Sequence, residues 1–183
     1  MILPIYLYGS NCLRRKNEPV SRDFHELKQL VSDMYETMYH AEGCGIAAPQ
    51  VGLALRLFVV DANDLADDYV EAKGFKKVFV NPEILEISGE PWLYREGCLS
   101  IPEFREDIVR KSIVKIKYFD EDFNEYTEIY GGIIARIIQH EYDHLESVLF
   151  PDLLSQLKKK MVKKKLDRIK TGKVRPHYAS KFD

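Results

Sequence analysis

The residues with the clearest chemical potential form one pentad, His140-Glu-Tyr-Asp-His144. On a helix, two histidines four positions apart lie on one face about one turn apart, so both imidazoles can reach a single metal ion. Glu141 is turned about 100° from His140 around the helix axis, where it can hydrogen-bond an activated water rather than occupy a coordination position. Ile133 and Ile137 precede the histidines on the same face and turn the pair toward the interior. Two imidazoles and a carboxylate buried together are unfavourable without a partner, and a metal ion supplies one. The competing reading, two structural histidines on a charged helix, lacks that compensation.

The third ligand decides the class of site. Zinc proteases built on such a helix take an acid well downstream, or extend the pattern to H-E-x-x-H-x-x-G-x-x-H. Here Ser147 and Phe150 break the extension, and no glutamate follows Glu146. Asp167 lies in a basic run and His177 in the C-terminal tail, both poor positions for a ligand. The missing donor is therefore expected upstream, where Cys98 stands beside a glycine in Glu96-Gly-Cys-Leu-Ser100, with Cys12 and Cys44 as competitors. A Cys-His-His set leaves a fourth position for water, as a catalytic metal site requires. Most lone cysteines are small buried hydrophobes, and that reading stands beside the ligand one. An odd count of three cysteines argues against a disulfide framework.

These residues need elements to position them. Residues 22–40 carry Phe24, Leu27, Leu30, Val31, Met34, Tyr35 and Met38 at helical spacing, with Ser21 as N-cap. A glycine- and alanine-rich loop follows, and then short β-rich runs at 56–61, 77–81 and 84–87. The acidic stretch 61–71 reads as a surface loop. Residues 108–120 alternate as a half-buried strand, paired with 126–130 across a turn near 120–124. The histidine helix opens after Gly131-Gly132 and runs to about Glu146; its first turns, Ile133-Ile-Ala-Arg-Ile-Ile138, are apolar nearly all round and belong at the centre of the fold. Pro151 ends that pattern, a third helix covers about 153–170, and residues 172–183 read as a polar, frayed tail. The expected fold is α+β: one domain over 1–183, with mixed short β-sheets around a central metal-binding helix and a C-terminal helix.

The near-neutral net charge of −2 hides an asymmetry. Lys158–Arg175 holds ten Lys/Arg and one acid, a local +9, which leaves −11 on the rest of the chain. A basic helix on an acidic body suits a polyanionic partner, although a solvated helix face would show the same charges. Leu153, Leu154, Leu157, Met161 and Leu166 are expected to pin this helix to the domain. No apolar run is long enough to span a bilayer, and the start lacks a basic leader, so a cytoplasmic location is expected. Neither a membrane nor DNA is expected as a partner.

Three segments in order, Gly43-Cys-Gly-Ile-Ala-Ala-Pro-Gln50, Glu96-Gly-Cys-Leu-Ser100 and Gln139-His-Glu-Tyr-Asp-His144, make the sequence resemble bacterial peptide deformylases. The resemblance implies hydrolysis of the formyl group from the N-terminal methionine of new proteins. It implies a metal on Cys98, His140 and His144, with Fe2+ as the usual ion and Zn2+ or Ni2+ as substitutes. Glu141 would be general base and proton shuttle, and Gln50 and the Leu99 N–H would be donors to the formyl oxygen. The methionine side chain would enter a pocket lined by Ile46, Ile133 and Ile137. Gly43 and Gly45 would permit close approach to an extended peptide. Ribosome docking by the basic helix follows as an expectation, formylmethionyl nascent chains being the substrate. A zinc endopeptidase and a non-enzymatic metal module are the competing classes. Arg136 stands out on its apolar stretch without an assigned role, and Asp143 reads as support for either a ligand or a neighbouring basic group.

Overall fold

The short apolar run Leu57-Phe-Val-Val60 is fully buried on both faces, which sets the architecture around it. In the computed structural model, which describes all residues 1–183, this run is part of strand β3 (Leu57–Asp61). Leu57 and Val59 face helix α1 (Leu27–His40), with Leu30, Met34 and Met38. Phe58 and Val60 face the opposite layer, formed by helix α2 (Gly132–Leu145) with Ile134, Ile137 and Ile138. A strand sandwiched between helical layers reads as a continuous hydrophobic run rather than an alternation.

One antiparallel sheet has the order β2-β3-β4-β5-β6, with β2 at Gly45–Ala47, β4 at Lys76–Cys98, β5 at Ile101–Phe119 and β6 at Glu125–Gly131. The α+β class stands as expected, but the strands are not uniformly short. The runs at 77–81 and 84–87 merge into the 23-residue β4, and 108–120 lies largely within the 19-residue β5. Asn81-Pro82 and Gly89-Glu90-Pro91 resemble chain breaks in the sequence, yet they lie at register shifts of a continuing ladder. Such bulges are where a strand tolerates proline and glycine. The β4–β5 hairpin turns at Leu99-Ser100, so the Glu96–Ser100 segment forms its tip.

Helix α1 begins at Leu27 rather than near residue 22, and the Ser21 hydroxyl caps a preceding turn by accepting from the Asp23 N–H at 3.3 Å. Helix α2 starts where Gly131-Gly132 indicated. Helix α3 (Gln156–Lys170) is N-capped by Ser155 and buries Val162, Leu166 and Ile169. Leu157 and Met161 are not pinned: they are 70% and 69% exposed, on the outward side with the lysines, and Leu153 is exposed as well. The tail is not frayed. Val174 and Tyr178 are buried, and strand β7 (Ser180–Lys181) pairs in parallel with the N-terminal strand β1 (Ile5–Tyr6). No helix is long and apolar enough to cross a membrane.

Candidate active site

Helix α2 and the tip of the β4–β5 hairpin meet at the bottom of one cleft of about 980 Å³. His140 and His144 project from successive turns of α2, and the hairpin tip brings up Cys98. The three side chains place one ligand atom each within 4.8 Å of one another, with Cys98 Sγ 3.3 Å from His144 Nε2. Of the other cysteines, Cys12 is buried in the layer beneath α3, and Cys44 lines the cleft without joining the cluster. One thiol and two imidazoles on two rigid elements suit a four-coordinate divalent ion with an open position. Glu141 Oε2 and His144 Nδ1 are buried with no hydrogen-bond partner in the protein. An unpartnered Glu141 oxygen buried beside the thiol and the imidazoles fits a site that takes a bound cation.

His140 is oriented from behind. Its Nδ1–H donates to Glu96 Oε2 at 3.0 Å, which leaves Nε2 for the cluster. Glu96 also accepts two bonds from Arg110, Nε at 2.7 Å and Nη2 at 3.1 Å, and one from Arg136 Nη1 at 2.6 Å. Arg110 reaches on to Asp143 Oδ2 at 2.8 Å, and Arg136 bonds the Trp92 carbonyl with its guanidinium 4.7 Å from the Trp92 ring centre. Burial works to raise the Glu96 pKa, but hydrogen bonds from His140 and Arg110 prevail and hold it well below the usual carboxylate range. This network gives Arg136 and Asp143 their roles. A partner of this kind fixes the tautomer and ring plane of a ligating imidazole.

Glu141 is enclosed by backbone. Strand β2 passes so close that a Cβ on Gly45 would lie 2.5 Å from Glu141 Oε1, while one on Gly43 would lie 2.8 Å from Leu99 Cδ1. Both glycines leave room for these side chains at the wall of the cleft. Burial pushes the Glu141 carboxyl up to about 7, against the opposing charge of His140. Burial, followed by the Glu141 charge, pushes the Cys44 thiol up to about 12, so it stays protonated.

Gln50 approaches from the far side. Its Oε1 accepts from the Ala47 N–H at 2.8 Å, which fixes the amide so that Nε2 points at Cys98 Sγ (3.5 Å) and Ser100 Oγ (3.2 Å). The Leu99 N–H donates to no backbone carbonyl. Ile133 and Ile137 line the cleft, as do Gly43 and Gly45. Ile46 does not: β2 alternation turns it away from Glu141 into the α1 layer, where it is fully buried. Sequence reasoning missed Arg110 and gave Glu96 no role of its own, although a buried arginine at position 136 required an acid nearby.

The family model for polypeptide deformylase matches residues 2–160. The chain is 50% identical to the peptide deformylase of Flavobacterium psychrophilum, an alignment covering 100% of this chain and 97% of that protein. It is 44% identical to that of Cytophaga hutchinsonii over 100% of this chain and 98% of the relative. The crystal structure of the peptide deformylase from Thermus thermophilus superposes with a TM-score of 0.82 at 38% identity, covering 93% of this chain and 99% of that one. With its hairpin-tip cysteine, its paired helix histidines and this likeness over its whole length, the chain belongs to the polypeptide deformylase family.

Proposed function

We propose specific roles for the cleft residues in the reaction that family membership assigns to this chain, the metal-dependent hydrolysis of the N-formyl group from nascent polypeptides. Cys98 Sγ, His140 Nε2 and His144 Nε2 are the metal ligands. Bound there, a divalent cation would acidify a water molecule and draw electron density from the formyl carbonyl. Glu141 takes the proton from the attacking water and later delivers it to the departing amine. The C–N bond breaks, formate leaves with the water oxygen, and the peptide keeps a free amino terminus. Gln50 Nε2 and the Leu99 N–H hold the formyl oxygen as negative charge builds on it. Ile133 and Ile137 receive the methionine side chain.

One observation carries this reading. The sulfur, the two imidazoles, the Glu141 carboxyl and the donor end of Gln50 all converge on a single cleft. The endopeptidase alternative is not favoured, since the third donor comes from an upstream hairpin and the whole chain aligns with deformylases. Anaerobically purified protein should release formate from a formyl-Met peptide and leave casein intact. Casein cleavage without formate release would reverse the assignment.

Fe2+ is the proposed cellular ion, with Zn2+ or Ni2+ as substitutes; a mixed thiolate and imidazole set accepts all three. The basic helix α3 is proposed to dock on the ribosome, which places the enzyme in the cytoplasm beside emerging chains. Lys163 and Lys164 are exposed and available to phosphates, and Lys159 is half-exposed beside them. Replacing all three by Glu should abolish ribosome co-sedimentation at physiological salt while sparing activity on short peptides, because phosphate contacts dominate such binding. Undiminished pelleting of the triple variant would leave α3 a solvated face.

A further inference from the structure

The last ten residues, Val174–Asp183, return across the body and close against the N-terminus. Ile5 N–H donates to Ala179 O at 2.9 Å and Leu7 N–H to Lys181 O at 3.1 Å. The Asp183 carboxylate then accepts from the backbone N–H groups of Asn11 (2.6 Å) and Cys12 (2.9 Å). Between α3 and β7, residues Arg175 to Tyr178 form part of the wall of the active cleft. The Tyr178 ring packs into the α1 layer, and its Oη donates to the Leu99 carbonyl at 2.5 Å.

That hydrogen bond lands on the hairpin corner bearing Cys98 and Leu99. Other contacts hold this corner as well, Leu99 and Cys98 packing against the core on either side. Tyr8 N–H donates to Ser100 O at 2.7 Å, Gln50 Nε2 donates to Ser100 Oγ at 3.2 Å, and the Leu99 side chain fills the space beside Gly43. The N-terminal segment that gives Ile5 and Leu7 to the tail thus also gives Tyr8 to the corner, so both ends of the chain clamp the same turn. A donor to a developing oxyanion is effective only when it is aimed in advance and does not reorganise during reaction. Holding the Leu99 carbonyl fixes the Leu99 backbone torsion and, with it, the tilt of the adjoining 98–99 peptide.

We propose that this C-terminal strap belongs to the catalytic machinery, with Tyr178 as a positioning residue that aims the Leu99 N–H at the formyl oxygen. The proposal rests on the reading of Leu99 N–H as an oxyanion donor. The strap lies outside the 2–160 segment that the family model matches. Losing the phenol loosens the corner without removing a donor, so the loss falls on the transition state rather than on peptide binding.

Tyr178→Phe in the full-length, metal-loaded enzyme deletes only the hydroxyl and keeps the buried ring. Its kcat on a formyl-Met peptide should fall about tenfold, less than the roughly 10²–10³-fold expected for an oxyanion donor removed outright. KM should stay within about twofold of the parent value, and metal content and thermal midpoint should be essentially unchanged. Gln50→Ala, assayed alongside, reports on the oxyanion reading itself. If Gln50→Ala is slow while Tyr178→Phe turns over like the parent, the strap proposal alone is overturned. If Gln50→Ala keeps full kcat, the oxyanion reading fails and takes the proposal with it. A Tyr178→Phe enzyme that loses metal and melts early, with kcat per bound metal intact, also overturns it, since the hydroxyl is then only structural.

Discussion

Glu141 should make the metal-free protein less stable as pH rises, and Glu141→Gln should remove that dependence. Burial raises this carboxyl from 4.5 to about 7 in the folded state. A folded-state pKa above the unfolded one means that the native protein binds the proton more tightly than the unfolded chain does. Stability therefore falls as pH climbs from about 4.5 through 7 and levels off above. Each pKa unit corresponds to about 1.36 kcal/mol, so the full effect is on the order of 3 kcal/mol. Cys44, held protonated up to about 12, does not titrate in this window. Glutamine has nearly the same shape and never ionises. After chelation, the stability of Glu141→Gln relative to the parent should therefore rise by about 3 kcal/mol between about pH 4.5 and pH 8. At roughly 2–4 °C per kcal/mol for a chain of this size, the two thermal midpoints should separate by about 6–12 °C over that range. Urea melts of both proteins at the two pH values, in excess chelator, measure the difference directly. Adding zinc back should shrink it, because a nearby cation favours the ionised carboxyl. A difference that stays constant with pH would refute the buried, uncompensated Glu141.

Gly45→Ala places a methyl 2.5 Å from Glu141 Oε1 in a packed interior; metal content should hold while kcat falls about 10²-fold, the typical effect of a misplaced catalytic group. Glu96→Ala strands the Arg110 and Arg136 guanidiniums, so denaturant melts should show a loss of about 3–5 kcal/mol. The same variant should bind metal about 10–100-fold more weakly by competitive chelation, because the His140 ring loses its orienting acceptor. Iron-loaded enzyme should lose activity in air through oxidation of the metal or of the Cys98 sulfur, while the zinc form should keep it; equal half-lives for the two forms would contradict an iron site at Cys98.

Much of the site was legible because its chemistry is local in sequence. His140 and His144 are one helical turn apart, and Cys98 stands in a five-residue segment that folds as one hairpin tip. What stood between them was not legible. Glu96 meets Arg110 across the β4–β5 ladder and Arg136 across the gap to α2, a meeting that depends on strand register. The length of that hairpin was hidden for a related reason: Pro82, Gly89 and Pro91 signal turns locally, and only the partner strand converts them into bulges. On α3 the apolar residues lie on two sides. Spacing alone does not say that Val162, Leu166 and Ile169 are covered while Leu157 and Met161 are not. The tail strand was the most remote of all, since Ser180-Lys181 finds its partner at Ile5-Tyr6 and a two-residue parallel pair leaves no periodicity to read.

The central claim is that Cys98, His140 and His144 hold a metal for which Glu141 performs the proton transfers. It is tested most directly by measuring bound metal and formate release on the same anaerobic preparations of the parent and of Glu141→Ala. Both proteins should carry about one metal per chain, as one three-ligand site requires. The variant should release formate about 10²–10⁴-fold more slowly, the range for a lost general acid–base group. A metal-loaded Glu141→Ala protein that releases formate at the parent rate would contradict the account.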